Sequence, residues 1–336
     1  MKKYILPLLL LPLLTMAQKT YVPDNVFENY LENNNMGDGI VGNDSVLTTN
    51  IKYQTLLDVT SKNIHDFTGI ADFDSLEVLW ARWTGDDTVD LSHNTALKKI
   101  DLGEGILQQL ILGNHPNLEL LAIDVNLISS IDLSPYPKLR YFRGDATSIS
   151  NLNFSNNPLM EKIYADDCNL NNINLNGCTK LETLDVDNNQ LNYLNIEDSD
   201  NIVDLFAYNN NISYLDVSHC SKLDRLKINK NQLTYLNLQN GNNHNMSNYP
   251  AASDNPNLTC VNVDDVAYSN ANWTGFDSQS YFSTTCAPYA VDDIAVNNSK
   301  QLLRITDVLG RETHAKKNIP LFYIYDDGSV EQKIIF

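Results

Sequence analysis

Four aspartates, Asp124, Asp145, Asp166 and Asp187, recur at an interval of 21 residues, and the same interval extends the column back through Gly103 to Arg82 and on to Tyr208. If successive copies stand one strand apart, about 4.8 Å, each neighbouring pair of carboxylates repels by about 1 kcal/mol in water and by more near a protein surface. Something must offset that repulsion. Dissolved counterions over a solvated acidic stripe would do so, as would Arg143 bridging from the adjacent column, a cationic ligand or partner, or bound calcium, which accepts oxygens from carboxylates and water. Aromatic residues accompany the column: Trp80 and Trp83 near its start, Tyr141 and Tyr164 in the middle, Phe206 and Tyr208 at the end. Exposed rings on a rigid surface anchor protein partners or stack on sugars. Cross-strand packing that only stiffens a sheet would use the same rings.

Nothing comparable points to catalysis. The six histidines, His65, His93, His115, His219, His244 and His314, form no recognisable cluster with a Ser, Cys or carboxylate, and three of them (His93, His115, His219) fall in turns. There is no phosphate loop, zinc spacing or nucleophile elbow. The stretch Asn33 to Asp44 is rich in Asn, Asp and Gly, yet Met36 would fall on a ligand position of a calcium loop and no Glu closes it. The expectation is a protein with no catalytic residues, no metal site and no cofactor.

The elements that position these side chains follow from a repeat. One apolar anchor falls at Leu76, Leu97, Leu118, Leu139, Met160, Leu181, Ile202 and Leu223; a second falls at Leu79, Ile100, Leu121, Phe142, Ile163, Leu184, Leu205 and Leu226. A fixed period of this size means stacked coils. Within a unit the order is LxxLxLxxN then LxxLxL, as in Leu181 to Asn189 and Leu191 to Ile196, and alternation in both halves marks two short strands. This pattern resembles the leucine-rich repeat family, in its 21-residue bacterial subclass, and the preceding 22-residue step from Leu57, Val59, Ile64, Phe67, Ile70 and Phe73 into Leu76 resembles an internalin repeat. The resemblance implies a mainly β, right-handed solenoid with parallel strands on both sides, and a concave sheet that carries the aspartates and aromatics. It also implies an inward amide ladder at Asn126, Asn189, Asn210 and Asn231, broken where Thr84, Gly105, Thr147 and Cys168 stand instead. A further Asx column, Asp90, Asp132, Asn153, Asn174, Asn195, Asp216 and Asn237, belongs to the opposite sheet and is read as structural.

Open-ended coils need caps. Behind Pro23-Asp24, the residues Val26, Phe27, Tyr30 and Leu31 share one helical face, which predicts a small N-terminal helical cap. At the other end, Leu223 to Leu258 is one period plus 14 residues, read as a looped-out insertion around Gly241 to Asp254, followed by a last strand from Leu258 to Val263. The segment through Trp273, Phe276, Phe282 and Cys286 would close the stack. Five cysteines cannot all pair internally. Cys178 and Cys220 share a repeat position two units apart, about 9.6 Å and beyond disulfide reach. Cys168 reads as a buried free thiol, so Cys260 and Cys286 remain for a bridge across the terminal cap.

Lys2 and Lys3, the apolar run Ile5 to Leu14 and Thr15-Met16-Ala17 form a secretory signal, too short and too Pro-interrupted for a permanent span. The formal charge of −19 repels phosphate backbones and anionic lipid, arguing against nucleic acid and membrane-surface binding. At the C-terminus, Leu303 to Arg311, with its Asp-Val-Leu-Gly-Arg turn, and Phe322 to Phe336 resemble the sorting domains of type IX secretion cargo. That resemblance implies an outer-membrane translocon as a partner. The organisation expected is signal 1–17, N-terminal cap 18–53, repeats 54–263, C-terminal cap 264–289 and sorting-like segment 290–336. The function expected is an exported, monomeric, non-enzymatic recognition or adhesion protein of a Gram-negative cell surface or its surroundings, binding a protein or glycan. A structural surface component and a polysaccharide-acting enzyme are the alternatives.

Overall fold

The computed structural model describes residues 17–246, 250–286, 302–308, 311–313, 316, 319–325 and 330–334. Residues 1–16 of the expected signal 1–17, and Leu309 and Gly310 of the expected tail turn, lie outside them. The chain divides into two compact units, one ending at Phe282 and one beginning at Ser283.

In the first unit, nine three-residue strands form one parallel sheet: Leu56–Asp58, Val78–Trp80, Lys99–Asp101, Leu120–Ala122, Tyr141–Arg143, Lys162–Tyr164, Thr183–Asp185, Asp204–Phe206 and Arg225–Lys227. The central residue of each is an apolar anchor, and Leu79, Ile100, Leu121, Phe142, Ile163, Leu184 and Leu205 are wholly buried. Fully burying such a side chain stabilises the fold by about 1.5–3 kcal/mol. Anchors from neighbouring coils are direct ladder partners, Leu121 with Phe142 and Ile163 with Leu184. Equivalent residues of successive coils are therefore spatial neighbours, as the period predicts. The 22-residue first step is accommodated in register, Leu57 pairing with Leu79.

Second half-repeats also form strands, except at residues 130–132 and 193–195, and among the described residues these strands make three separate ladders rather than one sheet. Thr88–Asp90 pairs with Gln109–Ile111, Asn151–Asn153 with Asn172–Asn174, and Tyr214–Asp216, Tyr235–Asn237, Cys260–Asn262 and Tyr281–Ser283 run together. One of the two breaks coincides with a change at a buried corner. At the buried corner where other coils carry Asn94, Asn157, Cys178, Ser199 and Cys220, two successive coils carry the rings of His115 and Tyr136, 6.2 Å apart. Beside these larger groups residues 130–132 are not strand, and a cavity of about 470 Å³ is lined by Leu110, Leu112, Ile131 and Tyr136. The Asx column proves to be turn chemistry. Asp90, Asp132, Asn153, Asn174, Asn195, Asp216 and Asn237 each accept, through a side-chain oxygen, the backbone N–H two residues on.

At the N-terminus, Asp24 caps the helix Asn25–Asn33 by accepting from the Val26 and Phe27 N–H groups. Phe27 and Leu31 are buried, but Val26 is 41% exposed, so the apolar face is narrower than expected. Glu28 takes the buried place because its carboxylate accepts the N–H groups of Gly42 and Asn43. Glu32 likewise accepts from Asp38 and Gly39. The Asn, Asp and Gly-rich stretch is thus folded over the cap helix by its carboxylates. An antiparallel pair, Lys19–Tyr21 with Ser45–Leu47, completes the cap.

The C-terminal register corrects the expected 14-residue insertion. Ala251 bridges to Lys227 of the nine-stranded sheet, Asn255 extends the amide ladder, and Leu233 N–H donates to its Oδ1. Asn231 to Asn255 is 24 residues and Leu233 to Leu258 is 25, so this coil exceeds the period by only three or four. Leu258 is equivalent to Leu233, and Cys260–Asn262 joins the second-half ladder. Cys260 and Cys286 form the disulfide. Cys168, Cys178 and Cys220 are free and buried, and burial pushes the Cys178 and Cys220 thiols up to about 12. In the second unit, Leu302–Thr306, Pro320–Tyr325 and Val330–Ile334 make a three-stranded antiparallel sheet. Arg311 donates to Asp307 through both its N–H and its guanidinium.

Candidate partner-binding face

On the nine-stranded sheet, residues flanking each anchor project to the outer face, and the residue two beyond the strand continues the row. Arg82, in that third row, is the hub of the early coils. Its guanidinium donates to Asp101 (2.9 Å), Glu104 (2.7 Å) and both oxygens of Asp124 (3.0 and 2.7 Å). Reaching Asp124 means crossing a whole coil, and the residue crossed is Gly103. A Cβ there would lie 2.4 Å from Asp124 Oδ1 and 2.6 Å from the guanidinium. Arg143 Nε donates to Asp145 at 2.8 Å and stands 3.7 Å from Asp124. The bridging by Arg143 expected from the sequence is present, joined by a second arginine.

Asp124 does not belong to the exposed surface. Its side chain has 0% exposure beneath the two arginines, so it supports the face instead of contacting a partner. Asp145 is bridged, leaving Asp166 and Asp187 without a cationic contact of that kind. Burial, then Asp185 and Asp145, raises Asp166 to about 6. Asp185 is raised to about 6 by burial and by Asp187. Asp187 is also raised, mainly by burial, although its Oδ1 accepts from the Tyr208 N–H. The repulsion expected along the column is therefore offset by arginine over the early coils, while over the later ones burial and neighbouring carboxylates leave Asp166, Asp185 and Asp187 raised.

The sequence reading overlooked Asp185 and Asp101, which belong to the neighbouring row. The signal was present in Asp185-Val186-Asp187, since residues two apart on a strand share a face. It also overlooked the cations at the far end. Arg225 and Lys227 lie 5.4 and 4.9 Å from the Phe206 ring centroid, and Lys230 lies 5.1 Å from that of Tyr208. Tyr141 and Tyr164 are adjacent, with centroids 5.6 Å apart, and Trp80 ends its strand on the same face, beside Asp101. Trp83 is elsewhere. It follows the strand in a left-handed turn (φ 59°), is 55% exposed, and donates its indole N–H to Glu104. Three residues beyond Trp80, it has the opposite parity to the row.

Two histidines approach possible catalytic partners, and neither geometry is a triad. His93 Nδ1 lies 3.2 Å from the Ser92 hydroxyl, but the nearby carboxylate, Asp90, accepts from the Ser92 N–H and does not orient the imidazole. His244 lies 3.3 Å from Asp265 and stacks on Tyr268 at 4.1 Å.

Inside the coils, Asn189 donates to the Ala165 and Val186 carbonyls and accepts from Leu170 N–H. Asn126, Asn210 and Asn231 repeat the arrangement. Where the asparagine is replaced, the Thr147 hydroxyl and Cys168 thiol bond the same class of carbonyl. The fold is a mainly β, parallel solenoid whose coils follow the repeat pattern of the sequence. No protein-family model matches the chain, and no curated protein does. Among solved structures it is similar to the functional domain of InlJ from Listeria monocytogenes, described as including a cysteine ladder, at 20% identity over 81% of this chain and 72% of that one, with a TM-score of 0.45. A leucine-rich repeat protein of Leptospira interrogans is 13% identical over 65% of this chain and 56% of its own length, with a TM-score of 0.48. The internalin InlF from Listeria monocytogenes is 16% identical over 80% of this chain and 96% of that chain, with a TM-score of 0.33.

Proposed function

We propose that this chain is an exported, non-enzymatic recognition protein that binds a protein or glycan through the outer face of its nine-stranded sheet. One observation carries the proposal: a single uninterrupted ladder of nine strands displays half-buried rings beside bridged and upward-shifted carboxyls, on rows whose identity the core does not dictate. The core fixes the anchors, while the rows between them vary freely from coil to coil. Rigid sheets of this kind keep contact groups in place at low entropic cost. The contact residues assigned are Trp80, Arg82, Tyr141, Arg143, Tyr164, Phe206 and Tyr208, with Asp145, Asp166 and Asp187 as the acidic component. Trp83 borders this face from the adjoining turn. Export rests on the N-terminal signal, and sorting on the tail read by a type IX translocon.

The test uses the full chain against a glycan array and a displayed peptide library. Alanine at Trp80 and Tyr164 should abolish binding of the selected ligands while the melting transition stays sharp. Unchanged binding in a folded variant would refute the assignment. For the tail, deletion of residues 302–336 should leave the protein in the periplasm, and normal export of that truncation would remove the sorting role.

A further inference from the structure

A second surface lies beside the sheet, on the turns that follow its strands. In each coil the third residue after the strand takes a left-handed conformation: Trp83, Glu104, Val125, Ala146, Asp167, Asn188, Asn209 and Lys230. Backbone bonds such as Trp83 N–H to Gly103 O, Glu104 N–H to Asp124 O and Val125 N–H to Asp145 O stack these turns into a ridge. Two residues further on runs a parallel row, Ile106, Leu127, Ser148, Asn169, Gln190, Asn211 and Gln232.

The repeat supplies its own control. From Asp167 onward both rows are polar or charged, with asparagine and aspartate frequent at the left-handed position, which they tolerate well. In the early coils the same rows hold Trp83, Ile106, Val125 and Leu127, exposed by 55, 49, 46 and 57%, together with Gly85 and Glu104. Packing does not require them there, since the polar coils fold in the same register. Val125 is the sharpest case: a β-branched residue at φ 52° is strained, and its side chain gains no burial in return. Strain held in place at an exposed position is a mark of function. The ridge also has a charge. Glu104, in the left-handed row itself, is bridged to Arg82, but Asp87 and Asp167 enter no ion pair among the described residues, and the nearby cations Arg82 and Arg143 are already engaged by carboxylates.

We infer that Trp83, Ile106, Val125 and Leu127 form a docking ridge for a partner protein whose contact surface presents apolar side chains flanked by lysine or arginine. The apolar residues supply the desolvated centre and the acidic border selects the basic flank. This ridge is separate from the sheet face proposed above, and either can fail without the other.

The experiment selects random dodecapeptides displayed on phage against the full chain, then compares hits on Val125→Asn/Leu127→Asn and on Tyr141→Ala/Tyr164→Ala, with melting curves for each. The proposal expects a class of peptides with apolar residues flanked by Lys or Arg that bind the asparagine variant at least about thirtyfold more weakly and the tyrosine variant unchanged. Hits lost only on the tyrosine variant, or bound equally by all three proteins, would overturn the ridge. So would a self-associating wild type whose dimer dissolves in the asparagine variant, since the occupant would then be a second copy. Because asparagine is the repeat's own choice at this turn, Val125→Asn should melt no lower than wild type, which separates lost binding from lost folding.

Discussion

Replacing Arg82 by methionine keeps most of the side-chain volume and removes the cation that three carboxylates share. Asp101 and Glu104 can turn towards water, being 19 and 36% exposed, but Asp124 has no exposure. Its remaining cation would be Arg143 at 3.7 Å. Stranding one partner of a buried pair costs about 3–5 kcal/mol. Because Arg82 is itself 20% exposed and Arg143 remains nearby, about 2–3 kcal/mol is expected here. Adding Asp124→Asn to Arg82→Met removes the stranded charge and should recover about 1–2 kcal/mol, a coupling that a double-mutant cycle reads directly. The assay is urea unfolding followed by circular dichroism at neutral pH, with the slopes of all four proteins compared. A loss below about 0.5 kcal/mol for Arg82→Met, the range of ordinary surface changes, would refute the view that Asp124 depends on this arginine.

The raised Asp166 and Asp185 give a pH dependence of definite sign. With folded values of about 6 against an ordinary 3.8, their contribution is greatest when both are protonated and is lost as pH rises through 6. Each shift corresponds to about 1–2 kcal/mol after screening by the solvent that reaches these groups. Asp166→Asn/Asp185→Asn should therefore be more stable than wild type at pH 7.5 and equal to it near pH 4; a constant difference across that range would contradict the burial of these carboxyls. The comparison with wild type matters because buried His115, held below its ordinary value, works in the opposite direction as pH falls. Asn189→Ala strands the Leu170 N–H and the Ala165 carbonyl, and should cost about 2–4 kcal/mol by chemical denaturation. A cost no larger than that of Asn188→Ala, on the outer turn, would remove the ladder from the account. Calorimetric titration with calcium tests the cation reading of the aspartate column: with Arg82 and Arg143 bridging Asp124 and Asp145, no heat is expected at millimolar calcium, and a saturable signal lost in Asp166→Asn/Asp187→Asn would show otherwise.

What could be read from the sequence was the part the core enforces. Leu79, Leu121 and Leu184 occupy one place in every coil because the stack buries that place, so their spacing alone set the strands and the face. Ends and outer groups obeyed weaker constraints. Leu258 resembled a first anchor but is equivalent to Leu233, and Ala251, which holds the coil in the sheet, is too small to stand out as an anchor. The burial of Asp124 depends on a glycine one coil away and an arginine two coils away, a relation that a column of carboxylates does not display. Trp83 looked like a companion of Trp80 until the left-handed turn between them reversed its direction. Val125 and Leu127 became visible only when the later coils were seen to hold polar residues in the same turns. His115 reads from the sequence only as a turn histidine and nothing in the pattern singles out Tyr136, so their contact beside a break in the second ladder was not legible.

The most direct test of recognition by the nine-stranded sheet is the dissociation constant of an array-selected glycan or library-selected peptide, measured by calorimetry on the wild type and on Trp80→Ala/Tyr164→Ala. Recognition through this face predicts a loss of at least about thirtyfold, two anchors at about 1–2 kcal/mol each, with the unfolding midpoint little changed. Equal affinity in the two proteins, both folded, would contradict it.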